Sequence, residues 1–77
     1  MTADMYTTRT CGYCKQAKDY LTKLGIRVNE KDITANPRYM EEFERRVGAH
    51  SGVPVIFLKG AKIIGFDRNK IDKILGL

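Results

Sequence analysis

The only two cysteines of this chain, Cys11 and Cys14, stand two residues apart in Thr10-Cys11-Gly12-Tyr13-Cys14. The stretch lies where a β-like segment gives way to a helical one. With about 3.6 residues per helical turn, the second sulfur comes round to the first, so the fold must supply a strand-to-helix turn on which a disulfide can open and close. Half of a zinc site has the same spacing. A closed zinc site takes about four protein ligands, however, and the rest of the sequence offers only the distant His50. No metal site is expected, and His50 reads as an ordinary loop histidine.

Upstream, Ala3-Asp4-Met5-Tyr6 alternates apolar and polar residues, and Thr7-Thr8 extends the run with β-branched ones, a strand pattern. Thr10 is the expected N-cap of the next element. Cys14, Ala17, Leu21 and Leu24 form the apolar stripe of a helix. Gly25 ends it in the left-handed conformation that glycine tolerates, and Lys23 complements the dipole. Ile26 to Asn29 alternates again, a second strand that runs out near Asp32-Ile33. Asn36-Pro37 supplies a cap and a first-turn proline for a second helix, with Tyr39 or Met40, Phe43 and Val47 inward and Gly48 as its stop. Val53 to Leu58 is almost continuously apolar, as in a strand covered on both faces. Lys59-Gly60 makes a hairpin turn into Ala61 to Ile64, and Asp67 caps a last helix with Ile71, Ile74 and Leu75 on one side. The predicted order is β-α-β-α-β-β-α. That is an α/β fold with a four-stranded mixed sheet, helices on both faces and a right-handed first crossover, in one domain spanning residues 1–77.

Charge narrows the classes of partner. The formal net charge is +5, but Lys15, Lys18 and Lys23 alternate with apolar positions, and Arg45 and Arg46 follow Glu41, Glu42 and Glu44. Such patterns read as solvated helix faces, so no nucleic-acid partner is expected, while a positive field remains to steer anionic partners toward the cysteines. No apolar run approaches the roughly 18 residues of a membrane span. Met1-Thr2-Ala3-Asp4 has neither a basic nor an apolar leader segment, and a reducing cytoplasm is the expected location.

Tyr6-Thr7-Thr8-Arg9-Thr10 runs into the cysteine motif, Gly52-Val53-Pro54 follows further on, and Gly65-Phe66-Asp67 lies beyond it. In this set and order the chain resembles the glutaredoxins, small members of the thioredoxin superfamily, along its whole length. The resemblance implies a thioredoxin-like fold with a cis peptide bond between Val53 and Pro54, opposite the cysteines. It also implies a monomeric thiol–disulfide oxidoreductase that reduces protein disulfides or glutathione mixed disulfides. Such a protein holds no cofactor, uses glutathione as co-substrate and draws electrons from a reductase.

Cys11, at a helix start where unpaired N–H groups favour negative charge, is the expected attacking thiol, and Cys14 on the apolar stripe the resolving one. The Gly12 N–H is read as a further donor toward Cys11. Substrate, glutathione or peptide, is expected to meet Arg9, Tyr13, the exposed backbone of Val53 before Pro54, and the N–H groups of Phe66 and Asp67. Thr8, Gly12, Ser51-Gly52 and Arg68 depart from the family's usual residues. Two alternatives follow from them: a redoxin that serves ribonucleotide reductase and is recharged by thioredoxin reductase, and a non-enzymatic carrier holding an iron–sulfur cluster between the Cys11 residues of two chains.

Overall fold

The elements form in the order read from the sequence. The structure, a computed structural model, describes residues 1–48 and 52–77. Among these are β1 (Thr2–Thr7), α1 (Gly12–Lys23), β2 (Arg27–Asp32), α2 (Pro37–Arg46), β3 (Val55–Leu58), β4 (Ala61–Ile64) and α3 (Arg68–Leu75). The strands lie in the order β2-β1-β3-β4. β1 runs parallel to β2 and antiparallel to β3, and β4 returns antiparallel to β3, so the sheet is mixed.

Register explains the two-sided core. Met5 faces Ile56, which faces Ile63, and the strand period of two sends this row to one side of the sheet. There Ala3, Met5, Ile56, Leu58 and Ile63 meet Ala17 and Leu21 of α1 and Ile71 of α3. Tyr6 and Val55 point the other way and meet Phe43 of α2. The Tyr6 and Phe43 rings pack edge to face with centroids 5.5 Å apart. Each of the larger side chains in these clusters stabilises the fold by roughly 1.5–3 kcal/mol through burial alone. Helices therefore cover both faces, as the alternating strands require.

Local chemistry sets the ends. Asn36 accepts from the Arg38 N–H at 2.9 Å with Pro37 in the first turn, and Asp67 accepts from the Lys70 N–H at 3.1 Å. Lys59 (φ 52°) and Gly60 (φ 77°) both adopt the left-handed conformation of a two-residue hairpin turn. Three expectations need correction. β3 starts at Val55, because Pro54 has no N–H to give to the ladder. Leu24 is the C-cap of α1 and stands partly exposed, since the chain has left the helix there. Of Tyr39 or Met40, Met40 is exposed and Tyr39 half-buried, while Phe43 is buried as expected. His50 and Ser51 lie outside the described residues. No helix among those described is long and apolar enough to cross a membrane.

Candidate active site

Strand direction gathers the expected residues at one edge of the sheet. β1, β2 and β4 end where β3 begins, which brings the turn after Thr7, the Asp32 turn, Val53-Pro54 and Gly65-Phe66-Asp67 to the same end. The Gly65 N–H donates to the Pro54 carbonyl at 2.8 Å and fastens two of these segments together.

Cys11 and Cys14 are joined by a disulfide, with Cα atoms 5.3 Å apart. The N-cap of α1 is Cys11 itself and not Thr10. Cys11 is extended (φ −88°, ψ 106°), and its sulfur accepts from the Cys14 N–H at 3.2 Å. A large polarisable sulfur at this position fills the role a threonine oxygen would have one residue earlier. In this disulfide form the donor to the Cys11 sulfur is the Cys14 N–H, where the sequence pointed to Gly12. Cys14 is 4% exposed and packed inward, whereas Cys11 is only partly covered. The first turn of α1 carries no acidic side chain to oppose negative charge on that sulfur.

The other expected residues surround this pair unevenly. Tyr13 is 65% exposed and Arg9 is exposed. Pro54 is buried, Val53 half-buried, and the peptide bond between them is cis. Arg9 lies near Asp32, whose carboxylate accepts from the Thr34 hydroxyl and the N–H groups of Thr34 (2.8 Å) and Ala35 (3.2 Å). The Thr34 bonds, with Ala35 and the Arg9 charge adding to them, hold Asp32 below the usual carboxylate range. Phe66 and Asp67 line an open cleft of about 480 Å³ together with Ile64, Gly65, Arg68 and Asn69. Asp67 is committed to capping α3, which leaves Arg68 as the charged side chain of that cleft without a local cap to serve.

Sequence reasoning missed two clusters that set this frame. Tyr20 of α1 donates to Asp72 of α3, its ring lies 5.8 Å from Phe66, and the Arg68 guanidinium sits 4.6 Å above it. The dithiol helix is thereby bound to the cleft. The bond to Asp72 raises the Tyr20 pKa. On the opposite face, the buried Tyr6 donates to Glu42 and accepts from Arg46 at 2.9 Å. Glu42 also pairs with Lys31, and Arg46 reaches Asp4 at 3.3 Å and lies 3.8 Å over the Phe57 ring. Arg46, read from sequence as a solvated helix charge, is thus a packed one. The two tyrosine hydroxyls meet partners 36 to 52 residues away in the chain, and no local pattern announces them. Among the described residues, no three His, Cys, Asp or Glu side chains converge as a metal-ligand set.

A four-stranded mixed sheet with a Cys-x-x-Cys pair at the start of α1 and a cis proline at the same edge defines a thioredoxin-like fold. The glutaredoxin-like NrdH-redoxin from Escherichia coli superposes on it with a TM-score of 0.77 at 22% identity, covering 96% of this chain and 95% of that one. The family description Glutaredoxin matches residues 4–63. An uncharacterized glutaredoxin-like 8.6 kDa protein from the rubredoxin operon of Clostridium pasteurianum is 37% identical over 71 residues, 92% of this chain and 93% of that protein. Glutaredoxin 3 of E. coli K12 is 38% identical over 64 residues, 83% and 76% of the respective chains. The chain belongs to the glutaredoxin family, and its cysteine pair makes it a thiol–disulfide oxidoreductase in the broad sense.

Proposed function

We propose that the protein reduces protein disulfides or glutathione mixed disulfides through Cys11 and Cys14. The observation that carries this reading is the asymmetry across one helical turn. Cys11 is the more accessible sulfur and caps a helix that favours negative charge, and Cys14 is buried behind it. The Cys11 thiolate attacks one substrate sulfur, the substrate S–S bond breaks, and the other substrate sulfur leaves as a thiolate. The Cys14 thiolate then attacks the Cys11 sulfur of the mixed disulfide and expels the remaining substrate sulfur. Two electrons and two protons pass from the dithiol to the substrate, and the disulfide form of the protein remains. Tyr13 and Arg9 flank the approach. The backbone of Val53 pairs with an extended substrate segment, and Phe66 and Asp67 offer N–H groups to a substrate carboxylate.

A second reading concerns the electron source. Arg68 lines the cleft beside Asp67 where the family usually has an acid, and Thr8 replaces its usual lysine. Both favour a thioredoxin reductase over glutathione as the donor that recharges the dithiol. The deciding experiment supplies the oxidised protein with glutathione plus its reductase or with a thioredoxin reductase, and follows NADPH consumption during reduction of a peptide disulfide. Consumption with either system supports the oxidoreductase, and the faster system identifies the reductant. Failure of the chemically reduced protein to cleave any disulfide would remove the proposal.

A further inference from the structure

The net charge of +5 is not spread evenly over the surface. Among the described residues, every ion pair links β1, α1, β2 and α2: Lys18 to Glu30, Lys31 to Glu42, and Arg46 to Asp4 and Glu42. The hairpin and last helix are different. From residue 59 onward they carry Lys59, Lys62, Arg68, Lys70 and Lys73 against only Asp67 and Asp72. Both acids are occupied locally, Asp67 by the α3 cap and Asp72 by the Tyr20 hydroxyl. Five basic residues against two acidic ones give this flank a net +3, the larger part of the chain's +5.

That flank also has shape. The Lys70 ammonium donates to the Lys62 carbonyl at 3.0 Å, which draws α3 and β4 together. Beside it, Asn69, Lys70, Lys73 and Ile74, with Asp67 at one end, line a groove of about 660 Å³. β4 is the outer strand of the sheet, so among the described residues no further strand pairs with its outer side; Lys70 takes the Lys62 carbonyl, and Ile64 stands 54% exposed further along. An extended segment of another protein can add to such an edge, its backbone on β4 and its side chains over the lysines. β4 leads directly through Gly65 to the edge that carries Pro54 and the cysteines.

We propose that the β4–α3 flank, through Lys62, Lys70 and Lys73, docks an acidic segment of the disulfide-bearing protein on which Cys11 acts. This rests on the oxidoreductase reading and adds the chemistry of the partner to it. Lysines beside an outer strand, and lining a groove that also holds Ile74, suit carboxylate side chains on a polypeptide. A nucleic acid, by contrast, would use a longer basic track and aromatic stacking platforms.

The test uses the full chain, chemically reduced, in single turnover with two peptide disulfides identical except for a flanking run of Glu or of Gln. At low salt the Glu peptide should react about tenfold faster, the lower end of electrostatic steering. The preference should vanish at about 1 M salt, where the Debye length is about 3 Å. Lys62→Gln/Lys70→Gln/Lys73→Gln should lose the preference and keep the wild-type rate on the Gln peptide. Equal rates for the two peptides with the wild-type protein would overturn the docking proposal while leaving the oxidoreductase intact. So would a preference that survives in the triple variant but disappears in Arg9→Gln/Lys15→Gln. Binding of a short DNA duplex by the wild-type protein, without any advantage for the Glu peptide, would likewise overturn it. Inactivity on both peptides would instead refute the reading on which it rests.

Discussion

Glu42→Gln isolates the charge at the centre of the α2 face. The Glu42 carboxylate is 30% exposed at its side chain and accepts from Tyr6 and Lys31, with Arg46 at 3.8 Å. Glutamine keeps the shape and one acceptor oxygen, so the variant removes charge and not volume. A hydrogen bond to a charged group contributes about 1.5–3 kcal/mol net and a neutral one about 0.5–1.5. Only the Tyr6 bond becomes neutral, a loss of about 1–1.5 kcal/mol by these values; the Lys31 bond keeps its ammonium and loses only the ion-pair part, about 0.2–1 kcal/mol at this exposure, for a total of about 2 kcal/mol. For a domain of this size that lowers Tm by about 8–16 °C.

The pH dependence supplies the check. The Lys31 and Tyr6 bonds depress the folded-state pKa of Glu42. Its contribution is therefore fully present above the unfolded value of about 4.3 and is lost as pH falls through the lower folded value. Urea unfolding of both proteins across acid and neutral pH should give a gap that is constant near neutrality and closes in acid, where wild-type Glu42 is itself protonated. A gap of the same size at low pH would refute the reasoning and assign the loss to packing. Lys31, whose pKa the Glu42 bond raises, remains charged throughout this range and does not confuse the comparison.

Other expectations concern the thiols, the core and the caps. Cys11→Ser should abolish turnover, while Cys14→Ser should accumulate a mixed disulfide visible by mass spectrometry. Faster alkylation of Cys14 than of Cys11 in the reduced wild-type protein would reverse these roles. Gly12→Pro should leave the pH profile of Cys11 alkylation nearly unmoved, because the donor on its sulfur is the Cys14 N–H; a clear rise in the thiol pKa would restore Gly12 as a donor. Phe43→Ala, at a site 2% exposed against Tyr6, should cost about 3–5 kcal/mol in urea unfolding. Asp67→Ala should cost about 1 kcal/mol as a lost cap, with the loss of protection confined to α3 in amide exchange.

Much of the frame was legible because it is set by near neighbours. Asn36-Pro37, Asp67 and Lys59-Gly60 each act within a few residues, and each ends or starts an element as its chemistry requires. The nearly continuous apolar run around Val55-Ile56 foretold a strand covered on both sides. The apolar stripes misled at their ends, since Leu24 lies past the last turn of α1 and Met40 lies on the outer side of α2. What was illegible depends on distance along the chain. Tyr6 with Glu42 and Arg46, and Tyr20 with Arg68 and Asp72, are polar residues whose partners the tertiary fold supplies. The cysteine pair stood out at once, but that its first sulfur serves as the helix cap needed the backbone angles of Cys11.

The strand order also governs how this chain comes into being. β1 is central, yet its neighbour β3 is paired through contacts such as Met5 with Ile56, far downstream. A chain emerging from the ribosome can form β1, α1 and β2 long before β3 exists. Until then one edge of β1 is open and Met5 lacks its partner row, the kind of exposed edge that invites aggregation. Pairings of such long sequence separation also slow folding, because loop closure must precede any gain from the contact. The cysteine helix is therefore synthesised early and covered late, and its thiols meet the redox surroundings of the nascent chain before the core has closed over Cys14.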